Sequence, residues 1–188
     1  MPKTVFYTAT SLNGFIADEA NSLSWLFAVE EGGAPDIAAF MSGIGVLVEG
    51  STTYEWVLRE EGLLERPHRW QELYGERPTF VFTTRTLPTP AGADVRFVRG
   101  KVADALPDLI TAAQGKDVWV VGGGDLAGQF LDADALDEIQ VSVAPVALTG
   151  GAPLLPRRVE ADRLHLRSAS QHGQFAHLTY DVRRPASR

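Results

Sequence analysis

Apolar residues along the chain occur at two kinds of spacing, one typical of strands and one typical of helices, and segments of the two kinds alternate. Residues 5–10, 44–48 and 79–84 are short runs rich in β-branched and aromatic side chains, which predicts strands. Residues 102–113 show helical spacing, which Pro107 is expected to disturb. Further strands are predicted over residues 15–17, 95–98, 117–121, 138–143, 164–166 and 176–182.

The order of these elements predicts a fold of the α/β class. Helices are expected to begin near residues 34–36, after Gly50 and after Gly124, so that strands and helices interleave until an all-β end. A turn at Gly173 would join the last two strands. We therefore expect a single three-layer α/β/α domain over residues 1–188, with a mostly parallel central sheet and an antiparallel C-terminal edge.

The most informative segment is the junction at Gly122, Gly123 and Gly124, which joins a buried strand to a helix. Consecutive glycines have no Cβ atoms, so a ligand can approach the backbone closely. The unpaired N–H groups and the helix dipole can hold an anion there, and Asp125 supplies a polar capping residue. The alternative is a loop that only needs positive φ angles, and this segment alone does not decide between the two.

Two other strand ends carry small polar residues or arginine, at residues 50–53 and 83–85. Ligands bind outside the carboxyl ends of the strands in open α/β sheets, so these ends and the glycine junction would together form a polyphosphate site. The competing interpretation is that each Ser, Thr or Asp only caps its helix. Three such ends together favour a nucleotide cofactor. Neither a Walker-type Gly-Lys-Ser/Thr sequence nor G-x-G-x-x-G after the first strand is present.

Composition narrows the classes of function. The formal net charge of −7 argues against nucleic acid or a membrane surface as a partner and leaves a small-molecule substrate. The absence of cysteine excludes disulfides, thiolate metal sites and cysteine nucleophiles, and it fits a cytoplasmic protein. The histidines lack the spacing of metal ligands, so no metal site is expected.

Four segments stand out along the chain, at residues 8–17, at 46–55, at 120–124 with 129–131, and at 144–145 with 150–156. In this order and at these spacings they resemble the dihydrofolate reductase-like superfamily. The resemblance is closest to the reductase domain at the C-terminal end of the bifunctional riboflavin-biosynthesis deaminase-reductase, and it covers nearly the whole chain. It implies a reductase that transfers hydride from NADPH to a small pyrimidine- or pteridine-type substrate, as 5-amino-6-(5-phosphoribosylamino)uracil reductase does.

The resemblance also implies how NADPH would be bound. Ala9 and Ile16 would flank the nicotinamide, and Trp25 would lie beside the reacting ring. The family often has a cis Gly-Gly peptide bond at the third strand end. In chain order, the remaining implied contacts are Gly50, Ser51, Thr52 and Thr53 with the pyrophosphate, Thr83, Thr84 and Arg85 with the 2′-phosphate, and Gly122, Gly123, Gly124, Asp125 and Leu126 across the pyrophosphate.

The chain departs from the family pattern at two of these positions, and a third residue has two interpretations. Ser51 stands where many dihydrofolate reductases have arginine, and Arg85 could compensate because guanidinium binds phosphate through two N–H groups. Asp125 would repel a pyrophosphate, so we interpret it as a helix cap that acts through its backbone N–H. Asp36 stands about where dihydrofolate reductases keep the acid that binds and helps protonate the pterin, and it is our candidate catalytic residue. Its alternative role is ordinary capping after Pro35.

Two other functions stay open. Dihydrofolate reduction would be favoured by Asp36 and disfavoured by Ser51. A nucleotide-binding protein that kept the fold and lost turnover would bind the cofactor without transferring hydride. The resemblance also makes a homodimer the expected assembly, and residues 18–35 and 149–156 are expected to shape the substrate pocket.

Overall fold

Parallel strands form most of the central sheet. A computed structural model of the protein describes residues 2–29 and 37–184. Its strands, in chain order, are β1 (Thr4–Thr10), β2 (Phe15–Ala17), β3 (Ile44–Gly50), β4 (Thr79–Phe82), β5 (Val95–Val98), β6 (Asp117–Gly122), β7 (Glu138–Val143), β8 (Ala152–Pro153), β9 (Leu164–His172) and β10 (Phe175–Val182).

The helices connect these strands on both sides of the sheet. In chain order they are α1 (Ser24–Phe27), α2 (Ile37–Ser42), α3 (Ser51–Glu60), α4 (His68–Tyr74), α5 (Val102–Ala113) and α6 (Gly124–Asp132). In the described part of the chain, no helix is both long and apolar enough to cross a bilayer.

Eight of the described strands form one sheet in the order β5-β4-β3-β6-β1-β7-β10-β9. The pairs from β5 to β7 are parallel, whereas β10 runs antiparallel to both β7 and β9. Strands β2 and β8 form a separate antiparallel pair. The predicted α/β class, with its mostly parallel sheet and antiparallel C-terminal edge, is confirmed.

A hydrophobic core lies on each face of the sheet. On one face, Phe6 and Val120 pack with Leu109 of α5 and Phe130 of α6. On the other, α3 and α4 contribute most of the side chains that pack on Leu47 and Val81, among them Tyr54, Leu58, Trp70 and Tyr74. Strands covered on both faces are apolar at successive positions, which is why the sequence shows continuous apolar runs in β3 and β6.

Three features of the fold differ from what the local sequence pattern predicts. Helix α4 is short, and its buried face consists of Trp70 and Tyr74, whose rings meet edge to face at 4.8 Å. Strand β8 lies inside the predicted loop at 149–156 and exists through its pairing with β2. The expected disturbance at Pro107 is wrong, because α5 is continuous through it. Proline removes one N–H there, and the carbonyl it crowds belongs to solvent-exposed Ala103 in the first turn.

Candidate cofactor-binding site

A cavity of about 580 Å³ opens at the carboxyl ends of β1, β3 and β6. The β2–β8 pair and the segment that follows β8 form another part of its wall. Apolar side chains and bare backbone line most of it, as in many small-molecule sites. Besides residues predicted from the sequence, the lining includes Thr8, Ala17, Asn21, Leu23, Trp56, Val57, Phe82, Val121, Gln129, Ala152, Pro153 and Pro156.

Most of the predicted cofactor-binding residues come together in this cavity. Those that line it are Ile16, Gly50, Ser51, Thr52, Thr53, Gly122, Gly123, Gly124, Asp125 and Leu126. Ala9, Trp25, Thr83, Thr84 and Arg85 are outside its lining. The candidate catalytic residue Asp36 lies outside the described residues. Two of the three predicted strand ends therefore build one wall, and the third directly follows Phe82, the last residue of β4, which also lines the cavity.

Both helices that begin at the cavity start from a glycine. Gly50 is the N-cap of α3 and Gly123 is the N-cap of α6, and neither cap has a side-chain hydrogen bond. The interpretation that the polar residues serve as N-caps is therefore wrong for these two helices. Asp125, expected to cap α6, is the second helical residue instead. The first N–H groups of α3 and α6 are left for other acceptors, as an anion site requires.

The space available to a side chain differs among the three glycines. A Cβ on Gly122 would lie 3.0 Å from Thr53 Oγ1, and one on Gly124 would lie 2.3 Å from the Pro153 carbonyl oxygen. On Gly123 the nearest atom would be Ile16 Cδ1 at 4.0 Å. Packing of the protein itself therefore excludes a side chain at Gly124 and crowds one at Gly122, whereas a Cβ on Gly123 would make only an ordinary contact.

The backbone angles at this junction show whether positive φ values account for the presence of glycine at residues 122–124. Gly123 has φ −92°, and none of the three is among the glycines with positive φ. The interpretation that the glycines serve only positive φ angles is therefore wrong. The Gly122–Gly123 peptide bond is cis, as the resemblance implied.

The carboxylate of Asp125 at the cavity rim is held by Arg157. Arg157 Nη1 donates to Asp125 Oδ1 at 3.0 Å, and its Nε donates to Asp132 Oδ2 at 2.8 Å. Gln129 Nε2 donates to the other Asp125 oxygen at 3.0 Å. The hydrogen bond from Gln129, together with the bond and charge of Arg157, lowers the pKa of Asp125. The ion pair offsets the negative charge that this carboxylate brings to the rim.

Arg85, predicted to bind a phosphate, is paired within the protein. Its Nη1 and Nη2 donate to the two carboxylate oxygens of Glu55, at 3.0 and 2.5 Å. The Arg85 N–H donates to Thr83 Oγ1 at 3.0 Å, which fixes the turn after β4. The guanidinium therefore already has a carboxylate in its bidentate position.

Trp25 and Ala9 lie outside the cavity wall in different ways. Trp25 is buried, and its indole N–H donates to the Ser22 carbonyl oxygen at 3.2 Å. Ala9 is half-buried on β1, in register with Ser142 of β7. Both were predicted to lie at the nicotinamide, and those roles stay predictions.

Sequence reasoning missed the aromatic part of the cavity. Trp56 lines the cavity and stacks on Phe27, with ring centroids 6.5 Å apart and an interplanar angle of 20°. A signal for it was present, because Trp56 follows Thr52 by one helical turn and so lies on the same face of α3. Phe82, the register partner of Gly50, ends β4 at the same wall.

Glu49 is a fully buried carboxyl next to the pyrophosphate-binding segment predicted at Gly50. Its exposed fraction is 0%, and desolvation by burial raises its pKa to about 8. The side chains of Tyr54 and Tyr74 lie near this carboxyl. At neutral pH the group is therefore mostly protonated, and no full negative charge lies behind the cavity wall.

Comparisons with known proteins agree with this architecture. The family model described as the RibD C-terminal domain matches residues 2–178. The chain is 30% identical to the uncharacterized protein YwjB of Bacillus subtilis, over 95% of this chain and 97% of that protein. It is 23% identical to YyaP of the same organism, over 86% of each.

Solved structures extend the comparison. A crystal structure from Shewanella sp. PV-4, provisionally named a riboflavin biosynthesis protein, has a TM-score of 0.77 at 27% identity, covering 97% of this chain and 99% of that one. The chain also matches 56% of the Thermotoga maritima diaminohydroxyphosphoribosylaminopyrimidine deaminase/5-amino-6-(5-phosphoribosylamino)uracil reductase, with a TM-score of 0.62 at 13% identity. At that identity the likeness is one of fold.

Proposed function

The chain belongs to the RibD C-terminal domain family, and from that membership we propose that it is an NADPH-dependent reductase of a small pyrimidine- or pteridine-type substrate. The observation that carries the proposal is the wall between β3 and β6. There two helices start at glycine N-caps, and the bare backbone of Gly123 lines the cavity. The Thermotoga maritima neighbour, which shares this fold, is named for a reductase activity of its own.

The residues of the wall fit the pyrophosphate of a dinucleotide. N–H groups at the starts of α3 and α6 can donate to its oxygens, and the hydroxyls of Ser51, Thr52 and Thr53 add neutral donors. A cavity of about 580 Å³ is within the range of cofactor sites. Ion pairing of Asp125 with Arg157 reduces the repulsion that a free carboxylate would exert on phosphate.

The apolar part of the cavity fits a nicotinamide. Ile16 Cδ1 lies 4.0 Å from the Cβ position of Gly123, so an apolar side chain and bare backbone adjoin here and offer a surface that a flat ring can approach closely. Bound NADPH supplies a hydride to an electrophilic carbon of a C=N or C=O bond, whose π electron pair takes up a proton while the nicotinamide becomes oxidised. The protein contributes orientation of the two reactants and exclusion of water. We propose Asp36 as the residue that positions or protonates the substrate.

Binding of the two nicotinamide nucleotides tests the proposal first. Titration with NADPH and NADH is followed by tryptophan fluorescence and nucleotide emission, because Trp56 lines the cavity. We expect a micromolar Kd for NADPH that Gly123→Val weakens at least about tenfold without loss of fold, since the new Cβ would make only an ordinary contact and the glycine it replaces lines the cavity. No binding of either nucleotide would contradict the proposed function.

A substrate screen then separates catalysis from binding. Consumption of NADPH is measured with a ribosylamino-pyrimidine and with dihydrofolate. Turnover of the pyrimidine supports the proposal, and turnover of dihydrofolate alone supports dihydrofolate reduction. Binding without turnover of any acceptor supports a protein that only binds the nucleotide. A homodimer and a cytoplasmic location are further proposals that rest on the resemblance, and sedimentation tests the first.

A further inference from the structure

The ion pair between Glu55 and Arg85 lies at the sheet edge that forms the cavity. Gly50 and Phe82 are register partners on β3 and β4, and both line the cavity. Glu55 is five positions after Gly50, in the second turn of α3. Arg85 is three positions after Phe82, in the turn that follows β4. A dinucleotide whose pyrophosphate lies at β3 and β6 can therefore extend toward this pair along the same edge.

Both side chains are accessible to a ligand. The side chain of Arg85 is 54% exposed and that of Glu55 is 38% exposed. Each guanidinium nitrogen that points at Glu55 bonds one carboxylate oxygen. A phosphate monoester would bind the guanidinium with the same bidentate geometry, so carboxylate and phosphate compete for one position.

NADPH and NADH differ only by the phosphate on the adenosine ribose. We propose that Glu55 sets the nucleotide preference. It competes with that phosphate for Arg85 and so reduces the factor by which the protein binds NADPH more tightly than NADH. This inference rests on the proposed function. When Arg85 stays paired, the carboxylate of Glu55 is an acceptor that suits a ribose hydroxyl, as acidic residues do in NAD sites of other folds.

Four variants test the competition: Glu55→Gln, Arg85→Gln, the double variant, and Glu60→Gln as a control. Glutamine keeps the size of Glu55 and removes its charge. Glu60 lies at the other end of α3 and pairs with exposed Arg59, so its substitution changes the net charge equally. Dissociation constants for NADPH and NADH are measured by fluorescence titration for each variant, and unfolding temperatures verify that all four fold.

We expect Glu55→Gln to lower the Kd for NADPH by about two- to fivefold, the size expected when one exposed charge competitor is removed. The Kd for NADH should rise by less than about twofold, because the carboxylate that suits its ribose hydroxyl is lost, and Glu60→Gln should leave the ratio of the two constants unchanged. Adding Arg85→Gln to Glu55→Gln should abolish the gain. The gain should also shrink at high salt, because the groups are exposed.

Two results would overturn the inference while leaving the proposed function intact. One is an unchanged NADPH-to-NADH ratio in Glu55→Gln, or equal tightening of both nucleotides. The other is a gain in Glu55→Gln that survives Arg85→Gln, because Arg85 would then not be the phosphate ligand. If the unmodified protein binds neither nucleotide, the proposed function fails and this inference fails with it.

Discussion

Gly124 lies directly beneath Pro153, at a distance that excludes any side chain between them. A Cβ on Gly124 would be 2.3 Å from the Pro153 carbonyl oxygen and 2.4 Å from that of Leu154. The Leu154 N–H donates to the Gly14 carbonyl oxygen at 2.9 Å, which fixes the crossing segment to the turn after β1. The first turn of α6, β8 and the β1–β2 turn therefore form one packed unit at the cavity rim.

The first prediction concerns this contact. Gly124→Ala should lower the free energy of unfolding by about 1–3 kcal/mol, because backbone carbonyls are less able to yield than a flexible side chain. Urea unfolding measures the change. Gly43→Ala is the control, since its Cβ would meet only the Phe40 carbonyl oxygen, at an ordinary 3.5 Å. Equal stability of the two variants would contradict the packing argument.

The second prediction concerns the contact between Gly122 at the end of β6 and Thr53 of α3. A Cβ on Gly122 would lie 3.0 Å from Thr53 Oγ1 and 3.5 Å from Thr53 Cγ2, so Gly122→Ala forces this side chain to shift. Thr53→Ala removes both atoms. We expect the double variant to be more stable than the sum of the single effects predicts, by about 0.5–1 kcal/mol. Additive effects in urea unfolding would show that the two residues do not interact.

The sequence was sufficient to predict the elements that depend on local pattern. Runs of β-branched residues identified β3 and β6, and the glycines at 122–124 identified the wall between strand and helix. These signals are local because a strand covered on both faces is apolar throughout, and a junction that approaches a ligand needs bare backbone. The membership of both strand ends in one cavity followed from the general placement of ligands in α/β sheets.

Contacts between residues distant in sequence were beyond prediction. Glu55 and Arg85 are 30 positions apart, and Asp125 and Arg157 are 32 apart, so no periodicity connects them. Both ion pairs change the chemistry expected of the site. Glu55 occupies Arg85, the predicted phosphate ligand, and Arg157 neutralises Asp125, the predicted source of repulsion. The covering segment at Pro153 likewise depends on pairing between β2 and β8.

A third prediction separates Arg157 from its neighbour. Arg157→Gln removes the positive charge that pairs with the Asp125 carboxylate at the rim, so the Kd for NADPH should rise by about three- to tenfold. Arg158→Gln removes the same charge, but Arg158 pairs with Glu160 and its side chain is 89% exposed, so the Kd should change by less than about twofold. Adding Asp125→Asn to Arg157→Gln should restore most of the affinity. Equal effects of the two arginine variants in fluorescence titration would show that only net charge matters.

The last prediction is a pH dependence of stability caused by Glu49. Burial raises the pKa of this carboxyl from 4.5 to about 8 in the folded protein. Between these two values the folded state binds more protons than the unfolded state, so the free energy of unfolding falls as pH rises. The contribution is fully present below about pH 4.5 and is lost as pH passes through about 8. The steepest loss from one such group is about 1.4 kcal/mol per pH unit.

Glu49→Gln removes this titration, because an amide of nearly the same size stays neutral at every pH. The difference in unfolding free energy between the variant and the unmodified protein should therefore increase in favour of the variant from about pH 5 to about pH 8, and then level off. Urea unfolding at several pH values measures this difference, which cancels the contributions of all other groups. Glu65→Gln, which replaces an exposed glutamate in the same way, is the control for the substitution itself. A flat difference for Glu49→Gln would mean that Glu49 is ionised in the folded protein, and the cavity wall would then have a buried negative charge behind the residues proposed to bind pyrophosphate.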